Sequence, residues 1–135
     1  MTEENVEVYG KELFVTEPEP QLVGVRCKRC GNVIFPPTKI CYECFSKDLE
    51  KYKLSRKGKI HSFSIVRVPP DPSFKVPYVI AWIELPEDVL VFGQLEVEEK
   101  DYDKLKIGME VETVVGVIRY DGDKPVISYK FKPIF

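Results

Sequence analysis

The segment CKRCGNVIFPPTKICYECF, running from Cys27 to Phe45, holds two Cys-x-x-Cys units with ten residues between them. Each unit can set two thiolates against one tetrahedral ion, with Zn–S near ~2.3 Å. Four thiolates leave no open coordination position, so an ion held this way is expected to be structural. It would add folding free energy to a module too small to build its own core. Gly31 directly follows the first pair, where a tight knuckle benefits from a residue that tolerates positive φ and lets backbone N–H groups approach sulfur. The second pair has Phe45 at that place. Tetrahedral sulfur sites also hold iron, and two disulfides are the other reading of four cysteines. The chain begins Met-Thr-Glu-Glu, without a basic n-region or apolar h-region, and no apolar run approaches the ~20 residues that cross a bilayer. Paired Cys-x-x-Cys units in that setting point to a reducing compartment, so zinc and a cytoplasmic location are the expectations.

Outward from the cysteines, Leu22–Arg26 reads as a strand running into Cys27, and Asn32–Phe35 as its return, stopped by Pro36-Pro37. Leu49–Leu54 alternates apolar and charged residues and supplies a third strand before the turn-rich basic stretch Ser55–Gly58. Residues 1–21 contain Pro18, Pro20 and several glutamates without a helical apolar period, which predicts an extended arm with a short strand at Glu12–Val15. The expected units are the arm over 1–21, a zinc ribbon over 22–57 and a barrel domain over 58–135.

Beyond Gly58, strands are predicted at Lys59–Val68, Tyr78–Leu85, Val89–Glu96, Glu110–Tyr120 and Pro125–Phe131. The stretch from Pro69 to Pro77 is a long proline-rich loop, whereas Tyr120-Asp121-Gly122-Asp123 is a tight hairpin signal. Glu98–Leu105 has room for one or two helical turns. Five short strands in so small a domain suit a closed barrel, of which the OB-fold is the commonest five-stranded form. An immunoglobulin-like sandwich needs about seven strands. The fold class expected is therefore mainly β: an N-terminal zinc ribbon followed by a five-stranded OB-fold barrel.

The chain has 135 residues and a net charge of −2, which conceals an uneven distribution. Residues 1–25 sum to −5, residues 26–59 to +7 and residues 60–135 to −4. The whole protein is no general polyanion binder, yet the cysteine-bearing segment can attract a phosphorylated ligand or an acidic partner. Nucleophilic catalysis lacks its parts, because all four cysteines are committed to metal and His61 is the single histidine, alone in a predicted strand. Glu87-Asp88 and Glu98-Glu99 fall in expected turns, where charge runs mark solvated surface. A ribbon plus an OB barrel would also suit a single-stranded nucleic-acid binder, with Phe63, Phe74, Tyr78, Trp82 and Phe92 as stacking platforms. The barrel segment is net acidic, with only Arg67 and Lys75 near those aromatics, which argues against it.

The run Leu22-Val23-Gly24-Val25-Arg26-Cys27-x-x-Cys30-Gly31, followed by Phe35-Pro36-Pro37 and Cys41-x-x-Cys44, resembles the rubredoxin-like zinc ribbon of a family of acyl-CoA-associated OB-fold proteins catalogued as domain of unknown function 35. Gly58–Val66, Pro77–Ala81 and Ile107–Val111 resemble that family's first barrel strand, its second, and the turn into its fourth. Family members often carry a helix before the ribbon, where this chain has its proline-containing arm. The resemblance implies a noncatalytic accessory subunit in a hetero-oligomer with a thiolase-superfamily enzyme. Such partners include acetyl-CoA acetyltransferase and hydroxymethylglutaryl-CoA synthase assemblies, benzoylsuccinyl-CoA thiolase and sterol side-chain aldolases. It implies one structural zinc on Cys27, Cys30, Cys41 and Cys44, and coenzyme A or acyl-CoA shared with the partner. Arg56, Lys57 and Lys59 at the ribbon–barrel junction, with Arg67 and Lys75 near the proline-rich loop, are then candidates for its phosphates. Phe74, at the centre of that loop, is the expected anchor on the partner.

Overall fold

Period-two alternation sets the inward and outward faces of most strands, and the computed structural model, which describes residues 7–135, forms ten of them. The first six positions of the arm expected over 1–21 lie outside the described residues. β1 (Glu7–Val8) is followed by a 3-10 turn at Lys11–Leu13 and by β2 (Phe14–Val15). The strand expected at Glu12–Val15 is therefore half as long. Gly10, at φ 72°, turns the chain left-handed, and the Leu13 N–H closes back on the Gly10 carbonyl at 2.8 Å, so the strand begins only at Phe14.

The ribbon is built on β3 (Gln21–Cys27), with β4 (Val33–Ile34) antiparallel at Val25 and Arg26 and β5 (Leu49–Lys53) antiparallel from Val23 to Cys27. Gly24 occupies the point where β3 passes the Ile34 carbonyl, and a Cβ there would collide with that backbone oxygen.

The barrel uses β6 (Lys57–Val66), β7 (Tyr78–Leu85), β8 (Val89–Leu95), β9 (Glu110–Asp121) and β10 (Lys124–Pro133). They run β6-β7-β8-β10-β9 around the cylinder and close by pairing β9 with β6. The pairings are antiparallel except that of β8 with β10, a parallel seam at Phe131 opposite Leu95. β1 adds in parallel to the outer part of β10. On β7, Val79, Ala81, Ile83 and Leu85 point inward while Trp82 and Glu84 point out, as alternation requires. The helical insertion expected at Glu98–Leu105 is a 3-10 segment, Glu99–Lys104.

One feature of the core was not expected. Phe14 of the arm and Leu22 and Leu54 of the ribbon pack into the same buried cluster as Ile60, Ile83, Val111 and Phe131 of the barrel. Cys27 and Cys41 lie in a second cluster with Ile34, at the far end of β3, with Cys44 packed against it.

Candidate metal centre and cationic cleft

Cys27 ends β3 and Cys30 follows in a turn, while Cys41 and Cys44 sit in a second turn ahead of β5. The two turns share one hydrogen-bond plan. Gly31 N–H donates to the Cys27 carbonyl and Cys27 N–H to the Asn32 carbonyl, both at 2.8 Å. Phe45 N–H donates to the Cys41 carbonyl and Cys41 N–H to the Ser46 carbonyl, both at 2.9 Å. This pairing of knuckles brings the four sulfurs within 4.8 Å of one another. The shortest separations cross between knuckles, with Cys27 Sγ to Cys44 Sγ and Cys30 Sγ to Cys41 Sγ both 3.5 Å.

Those separations suit a tetrahedral ion, for which Zn–S bonds of ~2.3 Å imply sulfurs roughly 3.8 Å apart. They do not suit disulfides, which need ~2.05 Å, and all four thiols are free. The Cys30 N–H pulls the Cys27 thiol down to about 6, against the burial that pushes it up. The Cys44 N–H likewise lowers Cys41. The Glu43 N–H also reaches the Cys41 sulfur, at 3.4 Å. Backbone donors aimed at sulfur favour the thiolate, the form that binds metal. Cys27 and Cys41 are buried and Cys30 is exposed, so one face of the cluster reaches the surface.

Phe45 takes in the second knuckle the place that Gly31 takes in the first. Gly31 has φ 82° and Phe45 has φ 62°, a conformation that costs a residue with a side chain about 1–2 kcal/mol. Phe45 is 75% exposed and Tyr42 68% exposed.

The five candidate cations do not gather at one place. Arg56 donates to the carbonyls of Pro20 at 2.9 Å and Thr113 at 3.0 Å, and sits between Glu19 and Glu112. It ties arm to barrel. Lys57 pairs with Glu110 at 3.7 Å. Lys59 lies opposite Glu84 and Glu110 in the sheet register. Arg67 and Lys75 lie beyond the other end of β6, whose residues at ~3.3 Å each put its two ends about 30 Å apart.

At that far end the structure assembles a cleft of about 240 Å³ that includes Lys75, Arg119, Lys130, Gln94 and Glu96. Lys130 is 7% exposed, donates to the Val117 carbonyl at 3.0 Å and pairs with Glu96 at 3.3 Å. Gly116 makes room for this pair, because a Cβ there would collide with the Glu96 carboxylate. Neither Arg119 nor Lys130 was singled out in the sequence. The signal available was weak: Lys130 and Phe131 are consecutive buried residues on β10, which breaks the alternation that a sequence reading follows.

The proline-rich loop forms one wall. Ser73 N–H donates to Asp71 at 2.8 Å, and Ser73 also donates its hydroxyl there. These bonds, with Arg119 nearby, hold the Asp71 carboxyl below its usual range. The Tyr120 N–H donates to the Ser73 carbonyl at 2.9 Å, the Tyr102 hydroxyl to the Pro77 carbonyl at 3.2 Å, and Lys75 Nζ lies 4.1 Å from the Tyr120 ring centre. Phe74, the anchor expected on the partner, stacks on Tyr78 at 5.5 Å and is half-buried. Of the other aromatics considered as platforms, Phe63 packs against the core, while Trp82 and Phe92 pair edge-to-face on the outer surface at 5.3 Å. No helix among the described residues is long and apolar enough to cross a membrane.

Comparison with known proteins matches both halves. The ChsH2 rubredoxin-like zinc ribbon domain matches residues 17–50, and the ChsH2 C-terminal OB-fold domain matches residues 51–124. A DUF35 domain-containing scaffold protein of Methanocaldococcus jannaschii is 50% identical over 117 residues, covering 84% of this chain and 82% of its own. The benzoylsuccinyl-CoA thiolase subunit BbsA of Geobacter metallireducens is 43% identical over 116 residues, covering 85% and 76%. Among solved structures, a chain of the Ltp2-ChsH2(DUF35) aldolase superposes with a TM-score of 0.64 at 31% identity, over 84% of each chain.

Proposed function

The chain belongs to the ChsH2-type family of domain-of-unknown-function-35 proteins, and from that premise we propose that it is a noncatalytic accessory subunit of a thiolase-superfamily acyl-CoA enzyme. The observation that carries this reading is its 43% identity, over most of both chains, to a subunit of a benzoylsuccinyl-CoA thiolase. The likeness to a chain of an aldolase complex supports it. In this role the chain contributes no nucleophile. It completes the assembly, orders the partner's loops and helps hold the acyl-CoA, so that binding and positioning are shared between subunits.

One structural zinc per chain is held by Cys27, Cys30, Cys41 and Cys44, and its chemistry is that of a fold clamp. The separation of the sulfurs and the thiolate-favouring backbone donors support zinc here. Arm 1–21, ribbon 22–57 and barrel 58–135 are the proposed working units, in a cytoplasmic complex. For acyl-CoA, the phosphates fall to the end of the barrel that carries Arg67 and Lys75, joined by Arg119, while Lys130, buried and bonded to the Val117 carbonyl and Glu96, shapes the cleft. Arg56 and Lys57 are occupied by protein acceptors, and Lys59 is remote from that cleft.

The experiment is purification of the tagged chain from its native extract, with metal analysis and mass spectrometry of what accompanies it. A stoichiometric thiolase-superfamily subunit and about one zinc per chain are the expected result. Recovery of RNA or ribosomal proteins in their place would overturn the reading.

A further inference from the structure

The ribbon's second knuckle carries two features that folding alone does not require. Phe45 holds a left-handed backbone at φ 62°, in the slot where the first knuckle has Gly31, and the hydrogen-bond plan of the two knuckles is otherwise the same. Folding would therefore be served at least as well by glycine. The ring gains no burial in return, since Phe45 is 75% exposed, as is Tyr42 at 68% and, to a lesser extent, Ile40 at 39%. Of the other exposed aromatics, Trp82 and Phe92 shield one another, Phe135 lies under the Lys104 ammonium, and Tyr9 stands alone on the arm. No such aromatic partner exists for Tyr42 or Phe45 among the described residues.

Charge indicates what covers this tip. Arg26, Arg29, Lys39 and Lys47 are exposed around the cysteines and have no ion-pair partner among the described residues, whereas Lys28 is paired with Asp48. Glu43 is the one other acidic group in the run from Arg26 to Leu49. An apolar tip with a basic collar fits an apolar pocket with an acidic rim. We propose that Tyr42 and Phe45 form the docking tip through which this chain binds its enzyme subunit, with Arg29, Lys39 and Lys47 pairing to carboxylates around the pocket. The proposal rests on the accessory-subunit reading and deepens it, by assigning the contact to the zinc knuckle rather than to the proline-rich loop, whose Phe74 is turned in on Tyr78.

Phe45→Gly separates docking from folding, because it removes the ring and relieves the backbone together. The enzyme subunit that accompanies the wild-type chain is purified and titrated calorimetrically with wild type, Phe45→Gly, Tyr42→Ala, and the double variant Lys39→Glu with Lys47→Glu. Zinc content and melting temperature are measured on each. The expected result is that Phe45→Gly keeps its zinc and melts no lower than wild type, yet binds the subunit at least about tenfold more weakly, equivalent to ~1.4 kcal/mol. The charge-reversal variant should also bind more weakly, with a shallower dependence on salt. Wild-type affinity in a zinc-loaded Phe45→Gly would overturn the docking tip while leaving the accessory role intact. Should Phe45→Gly lose zinc, Tyr42→Ala decides by the same criterion. If the wild-type chain retains no thiolase-superfamily subunit, the parent reading fails and this one with it. If instead it binds a single-stranded oligonucleotide at physiological salt, and loses that binding in Phe45→Gly, the tip is a base-stacking surface and the protein-docking proposal is overturned.

Discussion

Each cysteine of the knuckles combines a local role with a shared one. Backbone donors hold Cys27 and Cys41 toward thiolate, and Cys30 and Cys44 complete the set from more exposed positions. Cys41→Ser should therefore release the metal even though the substitution is nearly isosteric; metal analysis of the purified variant checks this, and a full complement of zinc in it would refute a four-thiolate site. Lys130 offers a different test. Its partner Glu96 is half-exposed, so Lys130→Met leaves no buried charge behind, and removing one hydrogen bond to Val117 should cost only about 1 kcal/mol. The same variant leaves the Glu96 carboxylate unpaired beside the cleft and, like Arg119→Ala, should weaken binding of coenzyme A by the assembled complex several-fold. Unchanged affinity in both would remove the cleft from the proposed acyl-CoA contacts. The thiolate set was readable directly, because spacing within each Cys-x-x-Cys unit fixes which sulfurs can converge. Lys130 was not, because its burial depends on Gly116 and Glu96, both distant in sequence.

Strands were the most legible elements. Alternation placed β7 with both its boundaries and the other barrel strands to within about two residues, the usual margin for such boundaries. Turn chemistry gave the β9–β10 hairpin, where Gly122 takes φ 62° between Asp121 and Lys124. The arm was less legible, because one left-handed glycine redirected it. Glycine also marks a close approach of strands in the barrel. A Cβ on Gly58 would lie 2.8 Å from the Glu84 carbonyl oxygen and from the side chains of Ile83 and Leu85. Gly58→Ala must shift β6 away from β7 and should destabilise the chain by about 1–3 kcal/mol, read as a lower denaturant midpoint. A wild-type midpoint would mean that the packing of β6 on β7 yields at little cost.

Taken whole, the molecule is less divided than its sequence suggests. Leu54 belongs by sequence to the ribbon, yet it is fully buried in the core shared with the barrel, alongside Leu22 and Phe14. Leu54→Ala should cost about 2–5 kcal/mol, and the ribbon and barrel should unfold in one transition. Two separate melting steps would contradict the shared core. Chelating the metal should likewise lower the melting temperature of the barrel, not only disorder the knuckles. The organisation into ribbon and barrel was legible because each has its own local pattern. The fusion of their cores was not, since nothing in the local period of Leu22 or Leu54 says which sheet covers them.

The seam between β8 and β10 gives the cylinder a stave that is fastened at Phe131 and Leu95, with the Glu96 N–H reaching the Phe131 carbonyl at 2.7 Å. Brief separation along this line should make it the part of the barrel wall where amide protons exchange with solvent soonest. Gln94, Glu96 and Lys130, which border the seam, also border the cleft. A phosphate lodged there would act as a clasp across the joint, so occupancy of the cleft would be recorded as slowed deuterium uptake at Glu96, a clock built into the wall of the barrel.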